Sequence, residues 1–184
     1  MSNTGRPPQR LPLPWRDPAP LAAALAERWG AEGLIWLDGD GTRLGRWLTL
    51  AVDPVEQTSC RGLPGDPGST DPFALLDQLG PGHWCGWLSY EAAAWVEPAE
   101  HWRRDSMASL WIARHDPLLR FDLEHRQLWL EGWDPGRLQA MARWLEALPP
   151  QESAASAAPP PRLDRKSTRL NSSHAITSRM PSSA

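Results

Sequence analysis

The histidines and cysteines are the residues of this chain whose chemistry could support a metal centre or catalysis. The chain has five histidines and two cysteines, which are His83, His101, His115, His125, His174, Cys60 and Cys85. No two histidines have the HxxxH or HExxH spacing of a helical zinc site, and the cysteines form no CxxC pair. The sequence also contains no GxGxxG, Walker A or GxSxG motif. We therefore predict no metal site and no catalytic residue in this chain.

Glu91 and the tryptophans are weaker candidates for function. Glu91 follows the chain's one tyrosine, Tyr90, and could act as a general acid, but an acidic residue just after a strand more often caps the next turn. The 12 tryptophans could form a stacking platform for sugars or bases. Most of them fall at core-facing positions of the predicted strands and helices, which favours a role in core packing.

Residues 164–184 differ in composition from the rest of the chain. Residues 164–174 (DRKSTRLNSSH) and 178–184 (SRMPSSA) correspond to in-frame translations of the two constant blocks of a common short-read sequencing adapter, and residues 175–177 would encode its variable index. The chain's one lysine, Lys166, lies in this segment, whereas all 12 tryptophans lie upstream. We expect a disordered, adapter-derived tail and exclude it from the fold. A natural Ser- and Arg-rich terminus is the alternative.

The charge of the remaining 163 residues argues against a nucleic-acid partner. They hold 15 Arg and no Lys against 21 Asp and Glu, which gives a formal net charge of −6. A nucleic-acid-binding protein would need a basic stripe instead. No apolar run reaches the roughly 18 residues of a membrane helix, and the N-terminus lacks the apolar region of a signal peptide. Since the two cysteines are isolated, we expect a cytoplasmic protein with reduced thiols.

Three helices are predicted from a shared start signal, an aspartate followed by proline. Asp17-Pro18, Asp71-Pro72 and Asp134-Pro135 each combine an N-cap residue with a proline at the first helical position. Apolar residues at helical spacing then extend these helices to about residues 29, 79 and 148.

Apolar runs between the helices predict strands. They cover residues 33–38, 46–52, 84–89, 109–114, 118–123 and 127–131. Strands that do not alternate strictly with helices predict an α+β fold with a largely antiparallel sheet or sandwich and about three helices. Residues 54–70 are rich in Gly, Pro and Asp and are predicted to form a loop.

The domain organisation follows from composition. Residues 1–16 are rich in Pro and Arg and are predicted to be disordered, and residues 17–148 form the domain. Residues 149–163 (PPQESAASAAPPPRL) have the composition of a linker, so we expect a further domain after it in the parent protein.

Four patterned blocks follow one another between residues 34 and 131. The first is a strand that ends in Leu37-Asp38-Gly39, and the second is GRWLTLAVDP at residues 45–54. The third is GWLSYE at residues 86–91, and the fourth runs from residue 107 to residue 122 and includes two aspartates. This succession resembles the N-terminal domain of component I of aminodeoxychorismate synthase and of its relative anthranilate synthase. In that family the first three blocks look like LL-x-S, (S/G)R(F/W)-x-I-x-x-A-(D/E)P and G-x-x-GY-(D/E).

The resemblance implies that the parent enzyme aminates chorismate. A glutaminase partner would deliver ammonia and Mg²⁺ would assist, in a C-terminal catalytic domain that this chain would lack. The nucleophile of the aminodeoxychorismate branch is a lysine, and residues 1–163 contain none. The resemblance therefore implies a non-catalytic N-terminal fragment with no cofactor of its own. An anthranilate synthase fragment and a free-standing α+β ligand-binding or interaction module are the alternatives.

The family's N-terminal domain also helps to hold a tryptophan molecule. The positions that match are Gly39, Leu44, Gly45, Arg46 and Trp47. Gly39 stands where the family has Ser, so one hydroxyl contact to the ligand is lost. The alternative for Arg46 and Trp47 is that they only begin a core strand.

Loss of a packing partner would also leave apolar surface uncovered. We expect Trp87, Trp111 and Trp129 to have partly exposed rings.

Overall fold

Eight β-strands, three α-helices and one 3-10 helix make up the part of the chain that the computed structural model describes, residues 7–97, 99 and 101–150. The strands are β1 Gln9–Leu13, β2 Ile35–Leu37, β3 Trp47–Ala51, β4 Glu56–Cys60, β5 His83–Leu88, β6 Leu110–His115, β7 Leu118–Asp122 and β8 Gln127–Gly132. The helices are α1 Pro18–Trp29, α2 Pro72–Asp77, the 3-10 helix Tyr90–Trp95 and α3 Pro135–Ala147. The predicted α+β class is confirmed.

A five-stranded sheet carries the main core. Its strand order is β1-β8-β7-β3-β2, and all neighbouring strands are antiparallel. Alternate side chains of β3, β7 and β8 pack with apolar side chains of α1 and α3. Leu21 and Leu25 of α1, Phe121 of β7 and Leu130 of β8 are completely buried there. The two helices therefore cover one face of this sheet, and the opposite face is free to position other groups.

A second, three-stranded antiparallel sheet packs on part of that opposite face. Its order is β4-β6-β5. Ile35, Ala51 and Leu118 of the first sheet form a small buried cluster, against which Cys85 and Trp111 of the second sheet pack. The seam between the sheets is therefore apolar at this point.

Two helices begin as their sequence predicts. The Asp71 carboxylate accepts hydrogen bonds from the backbone N–H groups of Phe73 and Ala74 at the start of α2. The Asp134 carboxylate does the same for Gly136 and Arg137 at the start of α3. Asp17 makes no such side-chain cap at α1.

Two predictions about irregular segments are wrong. Residues 1–16 were expected to be disordered, but Gln9–Leu13 forms β1 and pairs with β8. β1 lies at the edge of the sheet, where Pro12 is tolerated although it has no N–H group to donate. Residues 54–70 were expected to form a loop, but Glu56–Cys60 is an edge strand in which only Cys60 is buried. Both strands lack the alternating apolar pattern because edge strands face water.

The compact unit to which the described residues belong ends at Gln151. The predicted tail, and the predicted linker from residue 151 onward, lie outside the described residues. None of the described helices combines the length and apolar character needed to cross a membrane.

Candidate ligand-binding face

A tight glycine turn connects β2 to β3. The N–H group of Gly41, whose φ is +74°, donates to the Gly45 carbonyl oxygen at 2.9 Å. A Cβ atom at Gly39 would overlap the carbonyl oxygens of Gly45 and Trp47, and one at Gly45 would overlap Asp40. Only glycine therefore fits at residues 39 and 45, because the backbone folds directly onto itself there.

The structure brings some of the predicted tryptophan-binding residues together and separates others. Gly39, Gly45 and the backbone of Trp47 are in contact range of one another. Leu44 is 98% exposed. Arg46 directs its guanidinium towards Asp122 instead of the turn.

Arg46 and Asp122 form a forked ion pair across β3 and β7. Arg46 Nε donates to Asp122 Oδ1 at 2.9 Å, and a second guanidinium nitrogen contacts Oδ2. The Asp122 side chain is only 2% exposed. The Arg46 hydrogen bond holds the pKa of Asp122 well below its usual range, and the backbone N–H of His125 contributes. This ion pair is therefore ionised at every physiological pH.

Asp122, Glu124 and His125 also form a cluster with cation-ligand chemistry. One ligand atom from each lies within 4.8 Å of the others. Arg46 already pairs with both carboxylates of the cluster, because it contacts Asp122 and lies 3.4 Å from Glu124. A metal ion would have to displace this guanidinium, so the cluster is better explained as an ion-pair network.

Two indoles and two guanidiniums line the uncovered part of the five-stranded sheet. The Arg46 guanidinium lies 4.7 Å from the Trp47 ring centre, and that of Arg10 lies 5.6 Å from the Trp129 ring centre. The two indoles meet edge to face, with their centres 6.0 Å apart. Trp47 is 47% exposed, so the indole pair presents aromatic surface to solvent.

Arg120 lies at the centre of the same face. It pairs across the sheet with Thr49 on β3 and with Trp129 on β8. Its guanidinium donates to Thr49 Oγ1 at 3.1 Å. No carboxylate of the described residues lies within ion-pair distance of it.

A buried histidine–carboxylate pair borders this face. His83 Nε2 lies 3.1 Å from Glu131 Oε1, and Glu131 Oε2 accepts from Arg10 at 2.7 Å. The His83 ring also packs on Trp133, with centres 4.5 Å apart. Burial lowers the pKa of His83 and outweighs the opposing effect of Glu131. Burial raises the pKa of Glu131, but the hydrogen bonds from Trp129 and Arg10 outweigh this effect. The net pKa of Glu131 is therefore lowered, and the carboxylate stays ionised.

His115 lies opposite His83 on the neighbouring strand. It is completely buried, and its Nε2 lies 2.9 Å from the Gly33 carbonyl oxygen. Since a carbonyl can only accept, Nε2 carries the hydrogen and Nδ1 is bare. The Nδ1 atoms of His115 and His83 are both buried and have no hydrogen-bond partner among the described residues. Burial lowers the pKa of His115 as well.

A small pocket lies on the other side of the five-stranded sheet, beside the end of α3. It has a volume of about 140 Å³ and is lined by Leu13, Pro14, Arg16, Leu128, Leu145 and Glu146. Ligand sites usually measure roughly 300–1,000 Å³. Arg16 in its wall is engaged by the carbonyl oxygens of Leu145 and Leu148, so it offers little to a ligand.

The tryptophans expected to be exposed differ in their environments. Trp87 is 41% exposed, whereas Trp111 and Trp129 are half-buried. Further exposed apolar residues lie near the Trp87 end of the three-stranded sheet, namely Leu88, Tyr90 and Met107.

Sequence reasoning identified Trp47 and Arg46 on this face but gave no role to Arg120, His83 and Glu131. Arg120 lies within the fourth patterned block, but only strand register and the packing of the two sheets bring these three residues together. Alternation along β7 and β8 would have placed Arg120 and Glu131 on the face opposite the helices. Comparison of the chain with protein-family models and with curated proteins finds no match in either case.

Proposed function

We propose that this chain is the N-terminal, non-catalytic domain of a cytoplasmic aminodeoxychorismate synthase component I, in the pathway to 4-aminobenzoate and folate. The observation that carries the proposal is the Arg46–Asp122 ion pair. Arg46 belongs to the second block of the family resemblance and Asp122 to the fourth. They are 76 residues apart in sequence, and Asp122 is buried. A charged pair with this separation gives a physical reason for both blocks to be present in one domain.

Exposed apolar surface supports a missing neighbour. Trp87, Leu88 and Tyr90 are 41%, 46% and 79% exposed. The first two lie at the end of β5, and Tyr90 begins the 3-10 helix. Each belongs to the third block of the resemblance. Burying such side chains contributes roughly 25 cal/mol per Å² of apolar area. In the proposed parent enzyme the chorismate-binding domain covers them.

Because residues 1–163 contain no lysine, we assign catalysis to the C-terminal domain of the proposed parent enzyme. Amination of chorismate, with Mg²⁺ and with ammonia from a glutaminase subunit, takes place in the C-terminal domain. This domain contributes structure and holds tryptophan beside the turn of Gly39 and Gly45, next to Trp47, whereas Leu44 is exposed and Arg46 is held by Asp122. The strand GRWLTLAV, which differs from the GRYSFIG-like strand of anthranilate synthases, favours the aminodeoxychorismate branch.

The decisive experiment is to sequence the source locus beyond codon 163 and to assay the encoded full-length protein. We expect the reading frame to continue into a chorismate-binding domain. The full-length protein should form 4-amino-4-deoxychorismate from chorismate, ammonia and Mg²⁺, and the present chain should form none above a no-protein control.

Three outcomes would count against this proposal. A stop codon shortly after codon 163 would favour a free-standing module, and anthranilate as the product would favour the other branch. Conversion of chorismate by the present chain alone would show that its own residues are catalytic.

Tryptophan binding is tested separately by calorimetric titration of the chain and of Trp47→Leu. We expect the substitution to weaken binding, while Trp36→Leu, in the edge strand β2, should leave it unchanged. Equal affinities of both variants would remove the tryptophan site from the proposal.

A further inference from the structure

The Arg120 guanidinium is the one positive charge at the centre of the uncovered sheet face that has no carboxylate partner among the described residues. Along β7, Leu118, Arg120 and Asp122 point to the same side of the sheet. Leu118 lies under the three-stranded sheet, and Asp122 is paired in register with Trp47. Arg120 therefore lies between the covered apolar seam and the exposed indole pair.

The surroundings of Arg120 fix the direction of its side chain. Thr49 Oγ1 accepts one of its hydrogen bonds at 3.1 Å and so fixes the orientation of the guanidinium. Burial is the main cause of the shifted pKa values of His83 and Cys85 on β5, and the Arg120 charge contributes a lowering to both. A half-buried guanidinium with a single neutral partner has donors left for a planar anion.

The acidic groups of this face are already paired. Glu131 is held by Arg10 at 2.7 Å and by His83 at 3.1 Å, and Asp122 is held by Arg46. Glu124, at the turn after β7, lies 3.4 Å from Arg46. An ammonium group would have to break one of these pairs, whereas a carboxylate could accept hydrogen bonds from the N–H donors of Arg120 that Thr49 does not use.

We propose that this face binds a small aromatic carboxylate, with the carboxylate on Arg120 and the ring against the indoles of Trp47 and Trp129. Arg120 supplies a bidentate, charge-assisted anchor, and the exposed surface of the indole pair supplies stacking. The ligand class is an aryl or arylalkyl carboxylate without an α-ammonium group. This inference does not depend on chorismate chemistry. The site shares Trp47 with the proposed tryptophan site and differs from it in its anchor, which is Arg120.

The test is calorimetric titration of the full chain with indole-3-acetate and benzoate, and with indole as the neutral counterpart. We expect saturable binding of both carboxylates and weaker binding of indole. Arg120→Met should lower carboxylate affinity on the order of ten- to hundredfold, the usual effect of losing charge-assisted hydrogen bonds. Arg120→Lys, which keeps the charge but loses the fork, should fall between Arg120→Met and the unchanged chain.

Arg143→Met is the matched control, because it removes the same charge from the exposed face of α3, where Arg143 contacts only a backbone carbonyl in the described part of the chain. It should bind the carboxylates like the unchanged chain. Circular dichroism and thermal unfolding establish that each variant is folded. The comparison of indole-3-acetate with indole uses the unchanged chain, so it tests the preference for a carboxylate even if a variant fails to fold.

Several results would overturn the inference. They are absence of saturable binding of either carboxylate, equal affinity for indole and indole-3-acetate, and unchanged affinity in folded Arg120→Met. Tryptophan binding that Arg120→Met weakens as much as it weakens indole-3-acetate binding would overturn the assigned ligand class. If tryptophan binding survived Arg120→Met and neither carboxylate bound, the proposed function would be supported and this inference refuted.

Discussion

Acidification should destabilise this domain through His83 and His115. Both rings carry their hydrogen on Nε2, because the partners are a carboxylate and a carbonyl that can only accept. Protonation of His83 would therefore place an N–H group on a buried Nδ1 atom that has no acceptor among the described residues, and protonation of His115 would place a charge on a completely buried ring that only backbone groups of Gly33 and Ala113 favour by hydrogen bonding. Burial is the main cause of the lowered pKa of each ring.

The size of the effect follows from proton linkage. In the unfolded chain both histidines titrate near pH 6.5, and in the folded domain their pKa values are lower. Below pH 6.5 the unfolded state binds more protons, so the free energy of unfolding falls as the pH falls. Between pH 7.5 and 5.5 a ring that stays neutral in the folded state costs at most about 1.4 kcal/mol, and two such rings cost about 2.7 kcal/mol.

Urea unfolding at pH 7.5 and pH 5.5 measures this loss. The double variant His83→Gln/His115→Gln should lose most of the pH dependence, while His101→Gln, in an exposed loop, should retain it. The reasoning is refuted if the unchanged chain and the double variant lose the same stability on acidification. A gain of stability on acidification would refute it as well.

Three substitutions test the packing, capping and backbone arguments. Phe121→Ala removes a completely buried ring that meets Trp15 edge to face, with the ring centres 5.8 Å apart, and should cost roughly 3–5 kcal/mol in urea unfolding. Asp134→Ala removes the acceptor for two N–H groups of α3 and should cost about 1 kcal/mol in the same assay. Gly45→Ala places a Cβ atom against Asp40 and should cost about 1–3 kcal/mol, measured by thermal unfolding.

Each of these three predictions has a control or an outcome that would contradict it. Gln139→Ala, at an exposed position of α3, should change stability by less than about 0.5 kcal/mol, and an equal effect in Asp134→Ala would argue against the cap. Gly80→Ala is the control for Gly45→Ala, because its Cβ atom would meet nothing within 4 Å. Similar losses at the two glycines would mean that loss of backbone freedom, and not overlap with Asp40, is measured. A loss below about 1 kcal/mol in Phe121→Ala would show that the core closes around the missing ring.

The helices and central strands could be predicted because their signals are local. Asp71 and Asp134 accept the backbone hydrogen bonds that their position before a proline predicts. Phe121 and Leu130 are buried where alternation along a strand places them. β1 and β4 could not be predicted in this way, because edge strands face water and their stability comes from pairing with β8 and β6, which are distant in sequence.

The candidate site could be predicted only in part for a related reason. Arg46 and Trp47 lie at positions that the family resemblance matches to a tryptophan site, so the sequence indicated them. Arg120 is a candidate anchor because all nearby carboxylates pair with other cations. Such pairing depends on the three-dimensional register of the strands. A one-dimensional pattern contains no information about which charges are left over.

The hydrogen bonds of Arg16 have a consequence for engineering the domain. Its guanidinium donates to the carbonyl oxygens of Leu145, Leu148 and Pro149, more than 125 residues along the chain. The polypeptide therefore enters α1 and leaves α3 at the same place, as is common in domains that tolerate circular permutation or insertion into a host loop. New ends opened in the exposed loop around Gly65 would leave these hydrogen bonds intact, whereas a backbone bridge from the end of α3 would have to lead to β1, which precedes α1 and pairs with β8.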